Sequence, residues 1–189
     1  MDKNLVVRFL AKEAIKAQGN GKANDRLWDA IRKAHRDATT GARTGNIPYY
    51  VDINKDDKNT SLKCLYRIIS DSTGPLYSAP LIDQLQNDDK KVEFSAIQKL
   101  VNMTLKYLII INDCEDNQVK FDICEDKCDC PIDSIILKKL KKVTGSKHTC
   151  WTAMYKDEYN KVQGEIAAYL QKEYPGEMYG NIWFDFLMW

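Results

Sequence analysis

The sequence predicts a mainly α-helical chain, a single compact helical domain with a minor extended or hairpin element. Three observations carry that expectation. Apolar residues recur at three- and four-residue spacing through most of the chain. Glycine-, proline- or asparagine-bearing breaks separate the periodic stretches. A length of 189 residues is enough for one substantial core and short for two.

Taken in order, Leu5, Phe9, Ala11, Ala14 and Ile15 have helical spacing, and Gly19-Asn20-Gly21 stops them. Asn24 or Asp25 caps a second helix carrying Leu27, Trp28, Ile31, Ala34 and Ala38, closed by Gly41. The run Ile47-Pro48-Tyr49-Tyr50-Val51-Asp52-Ile53 reads as extended or edge-like, because proline cannot donate to a central ladder. Leu62, Leu65, Ile68 and Ile69 mark a helix that Asp71-Ser72-Thr73-Gly74-Pro75 breaks, and a short helix occupies residues 79–86. Ser95 is placed to cap the strongest helix, whose Ile97, Leu100, Val101, Leu105, Leu108 and Ile109 make one broad apolar face. A short strand is expected at residues 119–123. Pro131 enters a helix with Ile132, Ile135, Ile136 and Leu140, and residues 158–172 form another around Tyr159, Val162, Ile166 and Leu170. The tail from Ile182 to Trp189 is too apolar to stand in water and must dock on the core or on a partner.

A hydrophobic share of 44% with 29% charged residues excludes a disordered chain. The longest candidate, Leu105 to Ile111, is interrupted by Lys106 and far short of the roughly 20 residues that cross a bilayer. The first residues lack an apolar signal-peptide centre, so the expectation is a cytoplasmic chain without a membrane. The six cysteines are then thiols or metal ligands rather than structural disulfides. Cys124, Cys128 and Cys130, with Cys114 before them and His148 and Cys150 after, offer donors for a tetrahedral zinc ion. Their spacing departs from the usual two separated ligand pairs, and the plainer reading is small thiols, some buried and some on a loop. No other cofactor is indicated. A phosphate-binding glycine loop, a nucleophile elbow and a two-histidine zinc helix motif are all missing from the sequence.

Charge is segregated. Residues 1–44 hold ten basic against five acidic side chains, and residues 113–133 hold eight acidic against two basic. Lys138, Lys139, Lys141, Lys142 and Lys147 then follow without an acid. On the strongest helix, Ser95, Lys99, Asn102 and Lys106 advance by four, three and four, lining one polar stripe opposite the apolar face. Such a stripe is ordinarily a solvated helix back; asparagine in mid-helix is locally unfavourable and invites a role for its amide.

Gln98 to Leu108 (QKLVNMTLKYL) and Cys130 to Leu137 (CPIDSIIL) together resemble a group of uncharacterised bacterial and phage proteins with the same two motifs. Pro131-Ile132-Asp133-Ser134-Ile135-Ile136 is also similar to the Pro-Val-Asp-Thr-His-Val turn of helix-hairpin-helix DNA glycosylases. That likeness implies an aspartate, here Asp133, at a helix start beside a reacting nucleotide. It also implies a nucleophilic lysine on the preceding helix, for which Lys99 is nearest. The family's glycine-rich hairpin does not appear; Val92-Glu93-Phe94-Ser95 stands in its place.

Two functions are expected from these patterns. In one, the chain binds nucleic acid, with Lys99, Lys106, Lys138, Lys139, Lys141 and Lys142 contacting phosphates, Asn102 contributing its amide and Asp133 as the sole catalytic acid. In the other, it is a non-enzymatic interaction module of a mobile element or defence system, holding a protein partner through Trp183 to Trp189 and the acidic loop.

Overall fold

The computed structural model describes residues 23–40, 61–88, 93–113 and 120–188. Among them are seven helices: α1 (Ala23–Thr40), α2 (Ser61–Ser70), α3 (Ser78–Asp88), α4 (Phe94–Asn112), α5 (Ser134–Thr144), α6 (Lys156–Glu173) and α7 (Ile182–Met188). A single 3-10 turn, Glu125–Lys127, interrupts the segment between α4 and α5. The fold is mainly α, as the periodicity predicts. The expected helix at residues 5–15 and the extended run at 47–53 lie outside the described residues.

α4 is the central element. Its composition and length suit a bilayer span, yet 89% of that window is buried inside the molecule. Every residue from Ile97 to Ile111 is buried. Its apolar side chains join a core with Leu27, Ile31, Leu65, Leu85, Ile166 and Phe184, and α1 and α3 pack directly along it. α2 closes against α1 and α3, while α5 packs on α6.

Several local expectations need correction. Ser95 does not cap α4: Glu93 occupies the cap position without a side-chain bond, and the Ser95 hydroxyl donates to Thr152 O at 2.9 Å. A distant acceptor thus competes successfully with the local amides. Pro131 precedes α5 rather than opening it. Asp133 is the true N-cap, its Oδ1 accepting from Ile135 N at 2.8 Å and Ile136 N at 2.9 Å. In place of a strand there is one parallel bridge, Leu76 with Ile123; Val119 lies outside the described residues. The apolar tail is α7, and its Ile182, Trp183, Phe184 and Phe186 are buried in the chain's own core.

Candidate functional site

The polar stripe of α4 is not the solvated back that ordinary helices present. Ser95, Gln98, Lys99, Asn102 and Lys106 are all buried, and each finds a partner beyond residue 128. Gln98 pairs with the backbone of Ile132 in both directions, Nε2 donating to the carbonyl at 3.0 Å and Oε1 accepting from the amide at 3.2 Å. Gln163 on α6 does the same for Cys130, at 2.7 Å and 3.1 Å. Two side-chain amides from different helices therefore satisfy an irregular buried segment as a strand neighbour would. Asn102 donates to the Tyr159 hydroxyl at 2.8 Å, which in turn donates to Asp129 Oδ2 at 2.8 Å. Lys106 meets Asp185 of α7 at 2.5 Å.

Against the expectation of phosphate contacts, Lys106 and Asn102 thus face the interior. A lysine 6% exposed and paired with a buried carboxylate has no surface to offer a polyanion. The feature that sequence reasoning missed is the pair of glutamines. The available signal was polar residues of high hydrogen-bonding capacity, Gln98 and Gln163, directly beside the apolar positions Ile97 and Val162 of their helices.

Lys99 and Asp133 do come together, at 3.4 Å. The Lys99 ammonium also lies 4.7 Å from the centre of the Trp151 ring, a cation–π contact. Asp133 is occupied on both oxygens, Oδ1 by the amides at the start of α5 and Oδ2 by Lys99. In this arrangement the pair fixes where α5 begins, and the amine is covered.

The remaining lysines lie on α5. Lys138, Lys141 and Lys142 are exposed, one turn apart on one face, with Lys147 exposed beyond the helix. Lys139 differs: it is half-buried and donates to Met188 O at 2.6 Å, tying α5 to the end of α7. Gly145, at φ 77°, closes α5 in the left-handed conformation that glycine tolerates. Lys141 and Lys142 sit in the last turn, where they complement the helix dipole.

The cysteines are dispersed. Cys124 donates to Asp126 at 2.9 Å, Cys128 to the Cys124 carbonyl at 3.4 Å, and Cys130 is fully buried. Burial pushes the Cys128 and Cys130 thiols up from their ordinary value. His148 is held between Glu158, 3.0 Å from Nδ1, and Glu165, 3.3 Å from Nε2. Among the described residues no three His, Cys, Asp or Glu side chains converge on a point suited to a metal ion; Cys114 lies outside them. Cys150 is exposed, and hydrogen bonds from Thr152 and the Ala153 backbone lower its thiol below the ordinary value.

No protein-family model, curated protein or solved structure matches the chain.

Proposed function

We propose that the protein binds nucleic acid through the outward lysine face of α5. The clustering of exposed lysines supports this reading: Lys138, Lys141 and Lys142 share one helix, with Lys147 just beyond it. Lys33, Arg67, Lys156 and Lys172 each lie within ion-pair distance of a carboxylate, Asp37, Asp88, Asp83 and Glu173 respectively. Lys138, Lys141, Lys142 and Lys147 have no such neighbour among the described residues; exposed Lys127 and Lys161 have none either, but each stands alone, whereas α5 gathers three. Unneutralised lysines clustered on one rigid helix are what a phosphate backbone meets favourably, because each contact releases condensed counterions. The reading leaves out Lys99, Lys106 and Asn102, which are buried, and gives Lys139 the job of holding α7.

A glycosylase-like activity is the second reading, and its specific support is that Lys99 and Asp133, distant in sequence, meet in space. The covered amine and the doubly engaged carboxylate weigh against it. The tail loses its motive as a partner-binding patch, because Trp183 to Phe186 are occupied by the chain's own core; Trp189 lies outside the described residues.

The test is binding of labelled single- and double-stranded oligonucleotides across a salt titration. Affinity is expected to fall linearly in logarithmic terms with salt, by a slope of about −0.7 to −0.9 per phosphate contact. The triple variant Lys138→Ala, Lys141→Ala, Lys142→Ala should bind more weakly to every sequence and show a slope shallower by up to about three contacts. Wild-type protein without salt-dependent binding at low ionic strength would refute the reading.

A further inference from the structure

Between α5 and α6 the chain has no regular structure, and what holds it is unusual. Among the described residues, no backbone–backbone hydrogen bond joins residues 146–153 to another element. The anchors are side chains: Ser95 to the Thr152 carbonyl, His148 between Glu158 and Glu165, and the Trp151 ring lying on Lys99. Lys147, Thr149, Cys150, Thr152 and Ala153 are exposed, so Trp151 is the one large side chain the segment buries before Met154. The segment starts at Gly145, whose left-handed conformation supplies a natural pivot. Its outer side borders an open cleft of about 580 Å³, lined by Ser146, Lys147, His148, Glu165 and Tyr169. Beneath it, the Lys99 ammonium has two contacts, Asp133 at 3.4 Å and the indole face.

We propose that residues 145–153 form a lid, seated by Trp151 on Lys99, which opens without unfolding the core and uncovers the Lys99 amine beside Asp133. Few buried contacts and no backbone ladder are the marks of a segment that opens below the free energy of global unfolding. The lid stands apart from the nucleic-acid reading, since its test uses a small aldehyde and no oligonucleotide.

The experiment is reductive methylation of the native protein with formaldehyde and cyanoborohydride, read lysine by lysine by peptide mass spectrometry. In wild type, Lys99 should react at a rate between those of exposed Lys138 and buried Lys106. Trp151→Ala should raise the Lys99 rate by about tenfold or more while leaving Lys106 unchanged, because local opening is independent of the global transition. Lys106 is the internal gauge, held in the core by Asp185. Three results overturn the lid: Lys99 as fast as Lys138 in wild type, Lys99 as slow as Lys106 in the variant, or both buried lysines accelerating together. Should Trp151→Ala fail to fold, Ser95→Ala removes one anchor without touching the aromatic, and the same comparison of Lys99 with Lys106 decides.

Discussion

Asp129 illustrates how a single residue is set by its surroundings. Its backbone amide donates to Ser78 Oγ at 2.7 Å, and its part-buried carboxylate accepts from the Tyr159 hydroxyl. Burial raises its carboxyl above the ordinary value, while hydrogen bonds from Tyr159 and Asn181 pull it part of the way back. A raised value means that the folded state holds the proton more tightly than the unfolded chain does. Below the unfolded value, about 3.9, both states are protonated and nothing is lost. As pH rises through the folded value, the buried site must take a charge, and stability falls. Asp129→Asn keeps an oxygen for Tyr159 and never ionises. The melting temperature of the variant, relative to wild type, is therefore expected to climb as pH rises from the acid range toward neutrality, then level off. A difference that stays flat or shrinks over that range would show that Asp129 is not strained by its burial.

At the scale of elements, the irregular run from Cys128 to Asp133 has its backbone groups bonded by groups outside it. Gln98 grips Ile132 and Gln163 grips Cys130, while Ile182 N donates to Cys128 O at 3.0 Å. Gly180 makes this approach feasible, because a Cβ there would stand 1.9 Å from the Glu125 carbonyl oxygen. Replacing Gln98 by alanine strands the amide and carbonyl of Ile132, each costing about 1–3 kcal/mol when buried without a partner. Gln163→Ala does the same at Cys130. Since both glutamines hold one short segment, losing the first should free it to relax and weaken what the second contributes. Urea unfolding of the two single variants and the double variant should give a double cost smaller than the sum, by about 0.5 kcal/mol or more. Strict additivity would mean that the two grips are independent.

Most helices were legible because their apolar spacing survives burial: α2, α3 and α6 lie within a few residues of where Leu62 to Ile69, residues 79–86 and Tyr159 to Leu170 place them. The site was legible only in part. The resemblance named Lys99 and Asp133 for separate roles, and the structure sets them 3.4 Å apart; the lysines of α5 are where the charge run puts them. The stripe was misjudged because local sequence cannot report its partners. Lys99, Asn102 and Lys106 look alike on a helical wheel whether water or Asp133, Tyr159 and Asp185 faces them. Those three partners lie 34, 57 and 79 residues further along.

Across the whole molecule, α4 divides the work between its two kinds of surface. α1 and α3 pack along it, drawn by apolar burial. Among the described residues its polar stripe reaches forward in the chain, to Ile132, Asp133, Thr152, Tyr159 and Asp185. The C-terminal half is therefore fastened to the centre by hydrogen bonds and ion pairs in addition to the apolar core it shares, and those polar contacts are costly to leave half-made. This arrangement should make the described halves melt together. In wild type, urea transitions followed by far-UV circular dichroism and by tryptophan fluorescence should coincide. Helix content reports on all seven helices, whereas three of the four tryptophans, Trp151, Trp183 and Trp189, belong to the C-terminal part. Lys106→Met sharpens the test, since it breaks the buried Lys106–Asp185 pair by removing one partner, a loss of about 3–5 kcal/mol for a pair of this kind. If the stripe couples the halves, both signals shift to lower urea by the same amount. If fluorescence moves and the helical signal lags behind it, α7 and its neighbours come away alone, and α4 is a seam between two units rather than the centre of one.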